Sequence, residues 1–178
     1  MKKLLLAMFA ATLCAVPAAA ALKVGAPAPD FTAPATLGGK EFTFALADAL
    51  QKGPVVLYFY PAAFTKGCTI EAHEFADAMP SFAALNASVI GVSHDNIATL
   101  DKFSTSECRS KFPVAADGDQ HIMKAYDAVL SARPEFANRT SYVIAPDGHI
   151  IAEYTDLDPT RHVANMLAAI TSWKATQH

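Results

Sequence analysis

The stretch VVLYFY at residues 55–60 decides the fold, because every one of its side chains is apolar or aromatic and most of them favour strands. A short continuous run of this kind is typical of a strand buried on both faces of a sheet. A second such run, SVIGVS, covers residues 88–93. Between them, residues 71–85 carry apolar side chains at helical spacing, and we expect Pro80 to kink or split this helix. The spacing predicts a strand–helix–strand unit with parallel strands.

The rest of the chain continues the alternation of helices and strands. The predicted elements are a helix over 97–108, a strand over 112–115, a helical turn over 122–126, a hairpin of strands over 140–146 and 149–155, and an amphipathic closing helix over 159–173. This order is expected of a thioredoxin-like α/β fold, with a central mixed sheet and helices on both faces. Sites in such sheets lie beyond the carboxyl ends of parallel strands, which places the chemistry in the loop after residue 60.

The first 21 residues have the pattern of a secretory signal peptide. Lys2 and Lys3 precede an apolar run over residues 4–16, and the small residues of 17–21 suit signal peptidase. The run is shorter than the roughly 20 apolar residues that a membrane span needs. We expect cleavage after Ala20 or Ala21, which leaves a single domain over residues 22–178. The expected product is secreted and periplasmic, without stable membrane association.

Composition and cysteine content narrow the class of protein. Hydrophobic residues make up 52% of the 178 and charged residues 17%, so the chain can build a core. A net charge of −3 without a basic block argues against a nucleic-acid partner. Two cysteines, Cys68 and Cys108, follow the signal peptide, and neither belongs to a CxxC motif. A zinc framework and thioredoxin-type dithiol exchange are therefore unsupported, and His73 begins a HExxH-like run that has Asp77 in the second histidine position.

Cys68 is the strongest candidate for chemistry. It ends the loop PAAFTKGC of residues 61–68, directly before the predicted helix. At a helix N-terminus, unpaired N–H groups and the helix dipole favour the thiolate over the thiol. From the position of Cys68 alone, a reactive cysteine and an inert buried cysteine are equally compatible with the sequence.

Several motifs together resemble a known family. They are PxxxTxxC, filled by Pro61, Thr65 and Cys68, then GAPAPDF at 25–31, GVSHD at 91–95 and NRTSYVIAPDG at 138–148. With these motifs the chain resembles the peroxiredoxins, and within them the bacterioferritin comigratory protein (PrxQ-like) branch. The resemblance extends over roughly residues 24–170, nearly all of the mature chain.

The resemblance implies a role for each matching residue. Cys68 is expected to be the peroxidatic cysteine that attacks a peroxide oxygen, Thr65 to hydrogen-bond the peroxide, and Pro61 to shield the thiolate. Arg139 matches the active-site arginine of the family. If the strand that follows Arg139 is antiparallel to 55–60, the guanidinium lies at the same sheet edge as Cys68. The backbone N–H groups of Gly67 and Cys68 are further donors for the departing oxygen.

The chain departs from many members of this branch five residues after Cys68, where His73 replaces a resolving cysteine. Cys108 is the remaining candidate for the resolving thiol, which would form an intramolecular disulfide with Cys68. Two alternatives stay open. The enzyme could use one cysteine and an external thiol, or a structural Cys68–Cys108 bridge could stabilise the fold and silence Cys68.

The implied function is a thiol peroxidase for hydrogen peroxide and small organic hydroperoxides. No dissociable cofactor and no metal is expected, because both electrons come from thiols. The expected partner is a thioredoxin-like or small-thiol electron donor, and the expected assembly is a monomer or dimer. An alternative from another class is a thioredoxin-fold module that binds unfolded clients. Such a module has no need for the combination of Pro61, Thr65, Cys68 and Arg139.

Overall fold

The computed structural model describes residues 21–177. The predicted signal peptide lies outside these residues, apart from Ala21. Among the described residues, no helix is long and apolar enough to cross a membrane. Ala21 and Leu22 pack against the core, and the backbone N–H of Leu22 donates to the hydroxyl of Tyr142 at 3.2 Å.

Seven strands in the described part of the chain form one mixed sheet. In chain order they are β1 (Thr32–Leu37), β2 (Lys40–Ala45), β3 (Val55–Phe59), β4 (Ser88–Ser93), β5 (Val114–Ala116), β6 (Thr140–Ile144) and β7 (Ile150–Thr155). Their order across the sheet is β2-β1-β5-β4-β3-β6-β7. The central strands β3, β4 and β5 are parallel, and every other neighbouring pair is antiparallel.

Helices cover both faces of this sheet. They are α1 (Leu46–Leu50), α2 (Lys66–Ala84), α3 (Ile97–Ser106), α4 (His121–Ala125) and α5 (His162–Ala175), with a 3-10 turn at Pro159–Arg161 before α5. The architecture is the thioredoxin-like α/β fold that the sequence predicts.

Strand β3 separates the core into two halves, because successive side chains of a strand point to opposite faces. Leu57 and Phe59 belong to the cluster packed under α1 and α4. Val56 and Tyr58 belong to the cluster packed under α2, α3 and α5. All of these side chains are buried, which explains why β3 is a continuous apolar run: the strand is covered on both faces.

Several boundaries differ from the sequence predictions. The hairpin of β1 and β2, joined by Gly38 and Gly39 in left-handed conformations, and helix α1 were not predicted. Helix α2 begins five residues earlier than expected, at Lys66, and continues through Pro80 without a break. The closing helix begins at His162, after the 3-10 turn. Helix α3 ends at Ser106, so Cys108 lies just beyond it instead of within it.

The pairing of β3 with β6 brings the end of β3 next to the start of β6. These strands are antiparallel, and Phe59 at the end of β3 pairs with Thr140 at the start of β6. The loop after β3 and the residue before β6 therefore meet at one edge of the sheet. This edge carries both Cys68 and Arg139.

Candidate active site

Cys68 is the third residue of α2 and lies in its first turn. The backbone N–H of Thr69 donates to the carbonyl of Thr65 at 2.9 Å, which closes the first turn of the helix. The N–H groups of Gly67 and Cys68 precede this bond, where a helix has no internal acceptors for them. The side chain of Cys68 is only 1% exposed. A sulfur anion at this position therefore faces the positive end of the helix dipole from within the core.

Arg139 supplies a fixed cation beside this sulfur. Its Nη2 donates to Cys68 Sγ at 3.6 Å, and its Nε donates to the carbonyl of Leu157 at 3.0 Å. Its Nη1 donates to a carboxylate oxygen of Glu71. The three contacts come from two segments of the chain, α2 and the loop before α5, and hold the planar guanidinium in one orientation. Because Arg139 is 4% exposed, its charge is little screened by water.

Gly67 leaves the space that the guanidinium occupies. A Cβ atom built on Gly67 would lie 2.9 Å from Arg139 Nη2, closer than Cβ atoms approach other heavy atoms. Glycine at this position thus permits the contact between Arg139 and Cys68. The sequence indicated Gly67 only as a backbone N–H donor, and its steric role was not predicted.

Thr65 and Pro61 lie in the loop that leads into α2. The hydroxyl of Thr65 donates to the carbonyl of Ala62 at 3.0 Å, which leaves the lone pairs of its oxygen free to accept. Pro61 is half-buried and directly follows β3 and Tyr60. The loop is attached to the end of β4 by Asp95, whose carboxylate accepts the N–H of Ala63 at 2.8 Å.

A buried carboxyl group behind Arg139 was missed by the sequence analysis. Glu71 is fully buried, and burial raises its pKa to about 8 although the charge of Arg139 acts in the opposite direction. Its second oxygen lies 3.7 Å from Nδ1 of His162, the buried first residue of α5. The only sequence signal for Glu71 was a glutamate on the apolar face of a helix, one turn after the reactive cysteine.

Cys108 lies in the same apolar cluster as Cys68, and both are free thiols. A permanent structural bridge between them is therefore not present in this structure. Cys108 is fully buried, and burial raises the pKa of its thiol far above the ordinary range. In this conformation its thiolate is scarcely populated at neutral pH.

Two polar side-chain contacts flank Cys108 and attach its turn to α2. His73 Nε2 lies 2.9 Å from a carboxylate oxygen of Glu107, and Asp77 accepts from Arg109 at 2.6 Å. Arg109 and the next residue, Ser110, have φ values of 51° and 55°. Residues other than glycine rarely adopt this left-handed backbone conformation, so the turn is locally strained.

In the HExxH-like run on α2, His73 contacts Glu107 and Asp77 accepts from Arg109, so both side chains are engaged with the turn after α3. A separate group of Asp117, Asp119 and His121 lies at the end of β5, with ligand atoms within 4.8 Å of one another. The oxygens of Asp117 accept the N–H groups at the start of α4. Capping this helix explains the buried carboxylate without a metal ion.

Comparison with known proteins identifies the family. The model of the AhpC/TSA family matches residues 24–153. The chain belongs to the AhpC/TSA family. Its relatives include the peroxiredoxin Bcp of Bacillus subtilis, 32% identical over 84% of this chain and 95% of the relative. The peroxiredoxin Bcp of Xanthomonas campestris is 29% identical over 81% and 91% of the two chains.

A solved structure from the same branch of the AhpC/TSA family has the same fold. The crystal structure of peroxidoxin BcpB from Mycobacterium tuberculosis superposes with a TM-score of 0.77 and 30% identity, covering 85% of this chain and 97% of that one. The chain is thus a member of the bacterioferritin comigratory protein branch. It is a thiol-dependent peroxidase, with a peroxide as substrate and a thiol as reductant.

Proposed function

We propose that this peroxidase reduces hydrogen peroxide and small organic hydroperoxides at Cys68, and that Cys108 resolves the oxidised form. The observation that carries the proposal is the 3.6 Å contact between Arg139 Nη2 and Cys68 Sγ at the start of α2. A sulfur anion there is stabilised by a fixed cation and by the free N–H groups of the helix. These are the groups that a reactive thiolate needs in a buried site.

In the first step the Cys68 thiolate attacks the terminal oxygen of the peroxide. The S–O bond forms as the O–O bond breaks, so the sulfur is oxidised to a sulfenic acid and the peroxide is reduced to an alkoxide or hydroxide, which takes up a proton. Thr65 is proposed to accept a hydrogen bond from the peroxide hydroxyl. Arg139 and the N–H groups of Gly67 and Cys68 are proposed to stabilise the negative charge that moves to the departing oxygen.

Pro61 covers the loop side of the site in this proposal. Its ring replaces an N–H group that would bring water to the sulfur. A thiolate that is sheltered from water reacts with a bound peroxide in fixed orientation, and such orientation is the larger part of the rate gain. Full ionisation of an ordinary cysteine at pH 7 contributes only about 2 kcal/mol.

In the second step the Cys108 thiol attacks the sulfenic sulfur, water leaves, and a Cys68–Cys108 disulfide forms. A dithiol donor then returns two electrons and two protons to the pair. The buried Cys108 has to leave its place for this step. Its strained turn and the exposed ion pair between Asp77 and Arg109 support an opening of this segment, because such pairs stabilise a surface by only about 0–1 kcal/mol.

The compartment belongs to the same proposal. The charged start, apolar run and small residues of 1–21 support export to the periplasm, where dithiol donors of the thioredoxin type meet secreted proteins. We propose such a donor, or a small thiol, as the physiological reductant. Edman sequencing of the exported protein, with Leu22 or Ala21 expected as its first residue, tests the leader.

The central experiment treats the reduced mature protein with one equivalent of peroxide in the presence of a sulfenic-acid trap. Mass spectrometry is expected to find rapid, stoichiometric oxidation at Cys68, followed by a Cys68–Cys108 disulfide when the trap is omitted. The matched control is Cys68→Ser, which should consume no peroxide. Slow or absent modification of Cys68 would refute the proposed chemistry, whereas oxidation without the disulfide would favour the one-cysteine alternative.

A further inference from the structure

A chain of buried polar groups continues behind Arg139. Glu71, His162 and Ser141 are each fully buried. One carboxylate oxygen of Glu71 accepts from Arg139, and the other has no hydrogen-bond partner among the described residues. This second oxygen lies 3.7 Å from His162 Nδ1, slightly beyond hydrogen-bond distance. The unpartnered oxygen and the ring nitrogen are thus neighbouring buried polar atoms.

The partners of His162 define where its ring carries hydrogen. Nε2 lies 2.9 Å from the backbone carbonyl of Asp156, which can only accept, so Nε2 holds a hydrogen in every state of the ring. Nδ1 lies 2.8 Å from the hydroxyl of Ser141. This hydroxyl donates to a neutral ring and can turn to accept from a charged one. Nδ1 is therefore the ring position that can gain or lose a proton without breaking the other contact.

The charges around Arg139 do not balance when both acids ionise. Among the described residues, this site has one permanent cation, Arg139, which contacts two acids, the Cys68 thiol and the Glu71 carboxyl. A thiolate together with a carboxylate would leave one buried negative charge without a partner, which is costly in the interior. The further titratable groups near His162 and Glu71 come from α2, β3, β7 and the loop before α5, and they are Glu74, Tyr58, Tyr154, Asp156 and Asp158. Three of these five are carboxylic acids and two are tyrosines, so they add no second cation.

We propose that Glu71 and His162 hold a single proton between them in the reduced enzyme, which leaves the charge of Arg139 to the Cys68 thiolate. His162 is then a positioning residue that acts through Glu71, and Ser141 adjusts its hydroxyl to either state of the ring. The inference rests on the proposed reaction at Cys68. Burial raises the pKa of Glu71 to about 8 and lowers the pKa of His162, which is consistent with a proton located toward the carboxyl at neutral pH.

The test is the pH dependence of Cys68 oxidation by hydrogen peroxide. In the parent, the rate is expected to fall at alkaline pH, when the pair loses its proton and the Glu71 carboxylate competes with the thiolate for Arg139. His162→Gln keeps an N–H donor for Asp156 and removes the second proton site. In this variant the rate of Cys68 oxidation is expected to fall at a pH about one unit lower than in the parent. This shift corresponds to a roughly ten-fold weaker binding of the proton at Glu71. The matched control His149→Gln, an exposed histidine in the β6–β7 turn, should leave the profile unchanged.

A second background separates this role from a structural one. Glu71→Gln cannot ionise, so its alkaline fall should be absent, and adding His162→Gln should then leave the pH profile unchanged. A merely structural His162 would reduce the rate by the same factor at every pH and in both backgrounds. That result, or a parent profile without an alkaline fall, overturns the proposal.

Nuclear magnetic resonance of the imidazole nitrogens gives a readout that does not depend on activity or on the folding of His162→Gln. In the intact parent, the Nδ1 signal of His162 is expected to change at the same alkaline pH as the rate. In Glu71→Gln this change should disappear. If Cys68 of the parent is not oxidised by peroxide, the proposed reaction is refuted. The Nδ1 signal of His162 still shows in that case whether Glu71 and His162 share a proton. A His162 signal that is identical in both proteins refutes the pair alone.

Discussion

Replacing Gly67 with alanine tests the contact between Arg139 and Cys68 without touching either side chain. The new Cβ would lie 2.9 Å from Arg139 Nη2, whereas ordinary contacts begin at 3.4 Å. The guanidinium must therefore move by about 0.5 Å or more. It cannot rotate freely, because Leu157 and Glu71 hold its other nitrogens. We expect this displacement to lengthen the contact between Nη2 and Cys68 Sγ.

The expected loss follows from the change in separation of the two charges. Nη2 and Sγ are 3.6 Å apart in the parent. Moving unit charges from that distance by about 0.5–1 Å weakens their attraction by about 0.6–1 kcal/mol at an effective dielectric constant near 20. The rate of Cys68 oxidation should therefore fall about 3- to 5-fold. Alanine also favours the helix over glycine by up to about 1 kcal/mol, so the protein should be no less stable.

The assay compares the rate of Cys68 oxidation and the free energy of unfolding in the parent and the variant. Slower oxidation of Cys68 in a protein of unchanged or higher stability is the expected result. The matched control is Gly118→Ala, where a built Cβ meets no atom within 4 Å, and its rate should equal that of the parent. A Gly67→Ala variant that oxidises at the parent rate would refute the argument that this guanidinium contact sets the reactivity.

Three further predictions concern the groups around the site. In Cys108→Ser, the sulfenic acid on Cys68 should persist and turnover with a dithiol donor should fall, which trapping and mass spectrometry would detect; unchanged turnover would remove the resolving role. Glu107→Gln weakens the hydrogen-bonded contact with His73, which contributes up to about 1 kcal/mol, so the disulfide should form up to about 5-fold faster in quenched time courses, while the exposed control Glu135→Gln should match the parent. The pKa of Glu71 is raised to about 8 in the folded state, so unfolding free energy should decrease by a few kcal/mol as the pH rises from about 4.5 to 8. Urea titrations of Glu71→Gln should lack this decrease, and a slope equal to that of the parent would contradict it.

Local patterns predicted the elements whose side chains are buried regularly. β3 and β4 are continuous apolar runs, and Asp147-Gly148 marks the β6–β7 hairpin, so these parts of the fold were predictable. The β1–β2 hairpin was missed because β2 lies at the sheet edge with mostly exposed side chains. Pro34 in β1 further weakened the strand pattern. Only the Gly38-Gly39 turn could have indicated it.

The start of α2 shows how tertiary contacts override local preference. Its first turn contains Gly67 and a β-branched residue, Thr69, both of which favour helices weakly. The periodic apolar pattern begins only at Glu71, so the pattern placed the start too late. The positions of Cys68 and Arg139 were predictable because strand pairing fixes them at one sheet edge. The resemblance to the peroxiredoxins supplied the roles expected of them.

The groups that were not predicted from the sequence are those whose role depends on the orientation of side chains in the folded structure. Arg139 and Glu71 are 68 positions apart in the chain, and no local pattern links them. The guanidinium uses Nε for Leu157, Nη1 for Glu71 and Nη2 for Cys68, so each nitrogen of its planar fork has one partner. A lysine carries the same charge on a single nitrogen and cannot reach three partners in these directions. The site therefore requires the geometry of arginine as well as its charge, and the buried carboxyl, histidine and glycine around it are the residues that hold that geometry in place.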